Sequence, residues 1–401
     1  MFFILLNIVI LYIPMNDLNL SKTQSEVISS ILEWFRQSKY QYITLGGYAG
    51  TGKTTILGYI TKQLHEKDKG IKIAFCSFTG KASRVLDRKL KESDAVYDND
   101  YIGTIHRLIY RAIVDEKDNI LGWEKIPTEE LKYSLIVVDE ASMVTEDIWN
   151  DLLSFDIPIL AVGDHGQLPP ISSSFNLMQD PQLKLEEIYR QEEGNPIIKL
   201  SEIARKYGSL PFEELSNEVR KIRKTDENTQ DILMDIFNTF DENTMILCGY
   251  NRTRINLNKS IRQLHFDSPT PQVGDRVICL KNNRNMDIYN GMTGTILDIS
   301  KESLYGFSYY DAEISLDYEK EPFWGKISIE QFNNTNMEDL RREDLNYFDY
   351  GYALTVHKAQ GSQAKRVVVF EERFSKMDDE TYARWLYTAI TRAEKELYII
   401  A

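Results

Sequence analysis

Residues 46–55 read GGYAGTGKTT, and 47–54 within them fit G-x-x-x-x-G-K-[ST], the phosphate-cradling P-loop. The flanks supply what such a loop needs. Residues 40–45 (YQYITL) have strand character, and 54–64 (TTILGYITKQL) carry apolar residues at helical spacing. A strand, a glycine turn and a helix N-terminus together aim backbone N–H groups at one anion. Gly50, Thr51 and Gly52 would surround the phosphates of ATP, with Lys53 reaching the β- and γ-phosphates. Thr54 would ligate Mg²⁺ through its hydroxyl, with Thr55 beside it. The competing reading is a glycine-rich turn with no ligand, and the strand and helix on either side weigh against it.

The rhythm around the loop extends it into a domain. Strand-like runs (ITLGGY, IKIAFCS, LIVVDE, PILAVGD) alternate with helical stretches from about residue 21 to 190, which implies a parallel sheet covered on both faces. Ser21 and Gln24 have the spacing of a capping box at the first helix. A second set of buried runs (TMILCGY, RVVVFE, ELYIIA) makes another α/β unit from 191–270 and 346–401. Two segments break the rhythm. Residues 109–123 (IYRAIVDEKDNILGW) read as a hairpin within an insertion at about 107–130, and 271–345 read as a small all-β insertion with glycine turns. The expected fold class is thus α/β, with two parallel-sheet domains at 15–190 and 191–401, each carrying an extra piece.

At 401 residues with 42% hydrophobic content, the chain has material for two or three cores. Its net charge of −14 argues against a generally basic, nucleic-acid-coating surface but leaves room for a local basic groove. Cys76, Cys248 and Cys279 sit in apolar runs without Cys-x-x-Cys spacing, so they read as buried reduced thiols of a cytoplasmic protein. The first fourteen residues are apolar, lack a basic n-region and are short for a membrane span, so translation is expected to start at Met15 and no membrane partner is expected.

Residues 135–142 read LIVVDEAS, an apolar strand ending in two acids. Asp139 is placed to hold Mg²⁺ and Glu140 to orient and deprotonate the attacking water. Such acids are often helix caps when they occur alone; behind a P-loop, in this alternating chain, the catalytic reading prevails. Residues 161–170 read AVGDHGQLPP, where Gln167 can bond both the γ-phosphate region and neighbouring backbone.

With these residues in order, the chain resembles a superfamily 1 helicase, more narrowly the RecD-like B branch that includes phage Dda-type enzymes. The likeness runs from Leu18 onward. LSKTQ (Leu20–Gln24) resembles the Q-motif, which would put the Gln24 amide on adenine as well as on the helix cap. CSFTGKASRVL is similar to motif Ia, TIHRLI to the short motif after it, DEAS to motif II and GDHGQLPP to motif III. YRQ resembles the motif whose arginine, here Arg190, meets the γ-phosphate. ALTVHKAQGSQ is similar to motif V, with Gly361 and Gln360 beside the nucleotide, and LYTAITRAEKEL to motif VI. The resemblance implies two RecA-like domains, a β-hairpin insertion in the first, an SH3-like β-barrel insertion in the second, and 5′-to-3′ movement.

A physical case stands beside it. Arg392 lies about two hundred residues beyond the P-loop lobe, and a permanently charged guanidinium suits phosphoryl charge in a transition state. If it completes the site from the second lobe, nucleotide closes a cleft between lobes. Its alternative is a surface residue of a helix (TRAEKEL) paired with Glu396. The track would cross both lobes, with Thr79, Lys81, His106, Thr355 and His357 contacting phosphates, while Phe78 and Tyr352 offer rings either to bases or to the core. The expected activity is ATP-dependent unwinding by a monomer that holds single-stranded and forked duplex DNA. Single-strand-binding, replication or recombination proteins are candidate partners. A RecD-like motor subunit of a nuclease complex, a superfamily 1 RNA helicase and a nucleotide switch without translocation are the rivals.

Overall fold

The computed structural model describes residues 20–401 except 38, 115–119, 171–174, 188–193, 213, 284, 285, 287, 305, 306, 318 and 333–344. The N-terminal extension, Arg190 and the tip of the hairpin therefore lie outside the described residues.

The first lobe runs α1 (Lys22–Gln37), β1 (Tyr42–Gly47), α2 (Lys53–Lys67), β2 (Ile73–Ser77), α3 (Gly80–Glu92), β3 (Tyr101–Thr104), α4 (Ile105–Ile109), β4 (Tyr110–Val114), β5 (Ile120–Lys125), β6 (Leu135–Asp139), α5 (Glu146–Leu153), β7 (Ile159–Gly163) and β8 (Leu183–Leu185). Its sheet has the order β3-β2-β6-β7-β1-β8, and every pairing is parallel. The strands alternate between two apolar cores. In β2, Ile73 and Phe75 face the core shared with α1, α2 and α3, while Ala74 and Cys76 face the one under α4 and α5. Burial on both faces explains why these strands read as unbroken apolar runs. β4 and β5 pair antiparallel as a separate two-stranded ribbon.

The second lobe continues with α6 (Pro196–Tyr207), β9 (Glu214–Ser216), β10 (Val219–Ile222), α7 (Thr229–Asn238), β11 (Thr244–Cys248) and α8 (Asn251–His265). An all-β excursion follows: β12 (Arg276–Cys279), β13 (Thr293–Leu304), β14 (Phe307–Leu316), β15 (Phe323–Ile327) and β16 (Phe348–Tyr350). The lobe then finishes with β17 (Ala353–Thr355), β18 (Ala364–Phe370), α9 (Asp379–Ile390) and β19 (Ala393–Ile400). The main sheet has the order β17-β11-β18-β19-β10-β9, parallel except at the β9 edge. The excursion is an antiparallel sheet, β15-β14-β13-β12-β16, whose two edges meet where Ser328 N–H donates to the Asn346 carbonyl and Asn346 N–H to that of Lys326. Arg262 on α8 fastens it to the lobe, donating through Nε to Asp275 Oδ1 at 2.8 Å; Tyr352 donates to the same oxygen at 2.8 Å. Tyr352 is thereby a core residue, 3% exposed, and presents no face to a base.

One residue of the first lobe belongs to the second lobe's core. Leu168, on the loop after β7, is buried among Leu354, Val356, Trp385 and Ala389. Its N–H donates to Thr388 Oγ1 at 3.0 Å and its carbonyl accepts from Gln360 Nε2 at 3.0 Å. Leu168→Ala should cost about 2–5 kcal/mol, the range for truncating a buried leucine, and lower the thermal midpoint of unfolding. An unchanged midpoint would mean that the plug carries no stability.

Candidate active site

The cleft between the lobes, about 560 Å³, is lined by the P-loop, by Asp139 and Glu140 from the end of β6, by Asp164 and Gln167, and by Gly361 and Arg392 from the second lobe. Each wall has a local cause. Gly50 and Gly52 take left-handed conformations, φ +78° and +82°, where a side chain is strained. A Cβ on Gly52 would also come within 2.7 Å of Gln24 Nε2. Gln24 has both local jobs at once: its Oε1 accepts from Ser21 N–H at 2.9 Å, closing the capping box, and its Nε2 donates to the Thr51 carbonyl at 3.1 Å. The amide assigned to adenine thus braces the P-loop from the side.

Lys53 Nζ donates to the carbonyls of Gly47 and Tyr48 at 2.7 and 2.9 Å, so its charge is held at the loop by weak dipoles that phosphate can replace. Thr54 and Thr55 open the same wall. Burial raises the carboxyl pKa of Asp139 and of Glu140, and for Glu140 the Asp139 charge raises it further while Arg392 and Lys53 oppose the rise. A cation between these groups would relieve that cost. Glu140 adopts φ +52°, an uncommon conformation for a residue with a side chain, which turns its carboxyl into the cleft side of the β6 end. Gln167 donates through Nε2 to Asp164 Oδ2 at 3.3 Å, and its Oε1 is buried with no partner, an acceptor waiting for a donor in the cleft.

Arg392 is not on a helix and is not a surface residue. It lies in the turn between α9 and β19, 4% exposed. Its Nε donates to the Thr388 carbonyl at 3.0 Å and its Nη1 to that of Ser362 at 3.2 Å. Glu396, the alternative partner, is taken by Arg366 at 2.8 Å. Helical spacing in TRAEKEL overstated the helix because the last residues of α9 are followed at once by a strand whose outward positions are also charged.

A further tie between the lobes has no counterpart among the roles assigned to the sequence motifs. One face of α9 presents Arg384, Tyr387 and Thr388 to the loop after β7. Arg384 Nη1 donates to the carbonyls of His165 and Gln167 at 2.7 and 3.2 Å. The Tyr387 hydroxyl donates to Asp164 Oδ2 at 2.8 Å and accepts from the P-loop N–H of Ala49 at 2.9 Å. The signal was available: Tyr387 and Thr388 are polar positions within the run Trp385–Ile390, whose other residues are apolar.

The residues assigned to the track separate. Thr79 Oγ1 caps α3 by accepting from Ala82 N–H at 3.2 Å, and Thr355 Oγ1 accepts from Lys358 N–H at 3.4 Å. His106 packs edge-on against Phe78, which is partly buried in the core under α4, and burial lowers the pKa of His357. Lys81 sits where the β excursion meets the first lobe, near Asp317 and Arg276, and burial lowers its pKa to about 8. Gly361, φ +72°, brings the second lobe close to α3, since a Cβ there would lie 3.2 Å from that of Ala82. Among the described residues no group of three or more His, Cys, Asp or Glu could hold a metal, the three cysteines are free and buried, and no helix is long and apolar enough to cross a membrane.

Comparison with known proteins places this geometry. An AAA domain matches residues 19–218 and a UvrD-like helicase C-terminal domain matches 350–400. The ATP-dependent RecD2 DNA helicase of Deinococcus radiodurans is 26% identical over 398 residues, covering 94% of this chain and 49% of that protein. The ATP-dependent DNA helicase dda of Enterobacteria phage T4 is 27% identical over 161 residues, 39% of this chain and 34% of that one. The chain thus spans about half or less of the length of these relatives. The Pif1 helicase from Bacteroides, solved with ADP-AlF3 and single-stranded DNA, shares the fold at a TM-score of 0.57 and 18% identity, covering 96% of this chain and 92% of that chain. The AAA-domain match on the P-loop lobe, the UvrD-like helicase match on the C-terminal lobe and the run of helicase relatives together support a superfamily 1 helicase of the RecD-like, Dda-type branch.

Proposed function

We propose that this chain is an ATP-dependent DNA helicase that moves along single-stranded DNA, 5′ to 3′, and opens duplex ahead of it. The observation that carries the reading is Arg392, which reaches the P-loop cleft from the other lobe. A site split in this way converts nucleotide turnover into relative motion of the lobes. Lys53 neutralises phosphate charge, Glu140 orients water and accepts its proton, Gln167 holds that water through its unpartnered Oε1, and Arg392 meets the charge that develops on the transferred phosphoryl group. Mg²⁺, when bound between Thr54 and Asp139, would draw charge from the phosphate oxygens. Arg190 is assigned the same phosphate by resemblance. Thr79, Lys81, His106, Thr355 and His357 are read as the DNA-facing set. Lys81 serves it in a conformation where the β excursion has moved off the first lobe.

The β4–β5 ribbon is read as the pin that splits the fork. Ile113 and Trp123 are each 42% exposed on it, while the Tyr110 hydroxyl is anchored to Asp151 of α5. The β excursion, whose sheet edges meet, is read as the SH3-like barrel of this branch. Tyr387 is read as the residue through which the P-loop senses the second lobe, because one hydroxyl joins Ala49 and Asp164.

Glu140→Gln should bind ATP and hydrolyse it at least about a hundredfold more slowly, the usual worth of a general base. Arg392→Ala should bind ATP yet lose DNA-stimulated turnover by roughly a thousandfold, as arginine fingers do. Normal steady-state ATPase in either would reassign that residue. Tyr387→Phe, which keeps the ring and removes one hydroxyl, should lower kcat with single-stranded DNA while leaving the KM for ATP near the parent value; parallel changes in both would make the hydroxyl merely structural. The parent should open duplexes with a 5′ tail and leave 3′-tailed ones closed. Trp123→Ala should lose that opening while keeping DNA-stimulated ATPase. If only 3′-tailed duplexes opened, or ATPase ignored DNA altogether, the proposed activity would fail.

A further inference from the structure

The P-loop tyrosine, Tyr48, has no face on the ATP cleft, whose P-loop wall begins at Ala49. Its ring meets three other side chains, two of them from the second lobe. The Arg205 guanidinium of α6 stands 3.6 Å from the ring centre. The Tyr387 ring of α9 meets it edge-on at 6.0 Å, and the His165 ring lies 4.1 Å away, tilted by 43°. Gly166 makes the room, since a Cβ there would come within 2.9 Å of the Tyr387 ring and 3.1 Å of the Tyr48 ring.

The backbone of Tyr48 gives this contact its consequence. Its carbonyl accepts from Lys53 Nζ at 2.9 Å and from Thr51 Oγ1 at 2.8 Å, so a shift of this residue moves a partner of both. The next N–H, that of Ala49, is the one Tyr387 holds. His165 offers a flat face and no hydrogen bond: both ring nitrogens are buried without a partner, and burial lowers its pKa against the pull of Asp164 and Glu186. Arg205 is half-buried, and its planar, weakly hydrated guanidinium suits a ring face better than an ammonium would.

Building on the ATPase activity proposed above, we infer that Arg205 is a positioning residue for nucleotide: stacked on Tyr48, it holds the P-loop as a cradle, so that the second lobe sets the first lobe's affinity for ATP and ADP. The contact crosses between lobes, whereas Gln24 braces the same loop from within its own lobe. Arg205 does not line the cleft, so its effect on nucleotide passes through the position of the loop. A loop ordered before nucleotide arrives spares part of the cost of binding. By linkage, nucleotide strengthens the contact by the same factor. The Tyr387 hydroxyl is read as bearing on turnover; Arg205 bears on affinity.

The test is equilibrium titration of the full chain with a fluorescent ADP analogue, mant-ADP, and Mg²⁺. The parent is compared with Arg205→Ala, Tyr48→Leu and the two combined. Arg205→Ala should raise the Kd roughly three- to thirtyfold, the span from an exposed to a desolvated cation–π contact. Arg205→Lys keeps the charge and loses the planar face; as the milder variant it should fall between parent and Arg205→Ala. The double variant should lose no more than Tyr48→Leu alone, because each substitution removes the same contact. A parent-like Kd in Arg205→Ala, or losses that add in the double variant, would overturn the assignment. A lowered melting midpoint of the nucleotide-free chain with an unchanged Kd would also overturn it and leave Arg205 a packing role. Those outcomes spare the ATPase reading; a parent that ignores mant-ADP would remove both.

Discussion

The architecture turns on a short loop of the first lobe gripped by one helix of the second. Leu168 is buried in the far core, and the backbone on either side of it is held by Arg384, Thr388 and Gln360. Apolar burial is non-directional and would allow the lobes to slide. The backbone hydrogen bonds on both flanks remove that freedom and fix the register of α9 against the loop. Arg392 follows α9 directly, so the same docking sets where its guanidinium stands relative to Glu140 and the P-loop.

The electrostatics of the cleft are poised and incomplete. Two carboxyls share a buried corner where burial raises the pKa of both and the Asp139 charge raises that of Glu140 further, a lysine rests on carbonyl dipoles, and an amide oxygen has no donor. Each arrangement costs free energy in isolation. Together they suit the phosphate, divalent cation and water that the proposed phosphoryl-transfer reading would bring there. Tyr387 extends this logic across the interface, since its hydroxyl occupies the N–H of Ala49, a P-loop residue that lines the cleft.

Much of this was legible in the residues. The P-loop, the paired acids and the alternating apolar runs each rest on local spacing, and buried parallel strands advertise themselves through uninterrupted hydrophobicity. The second lobe's sheet was legible for the same reason. What escaped was tertiary. Nothing in TRAEKEL distinguishes a helix from a turn entering a strand with charged outer positions, and the role of Arg392 depends on that turn. Gln24 showed its cap but not its bond to the P-loop, which spans 27 residues. Tyr352 looked like a ring at a strand end and is a buried donor to Asp275, because an aspartate 77 positions away needed it. Lys81 looked like a phosphate contact, and the β excursion sets Asp317 near it, an acid that no local pattern connects to it.

The central claim is that one ATP site is built from both lobes, so that nucleotide state sets their separation. Fluorescence energy transfer between dyes at Lys22→Cys and Lys395→Cys tests it directly, because the native cysteines are buried and spare the labelling chemistry. Transfer efficiency should rise when a non-hydrolysable ATP analogue and Mg²⁺ are added and fall again with ADP. An efficiency that stays the same in the free, ATP-analogue and ADP states would contradict the account.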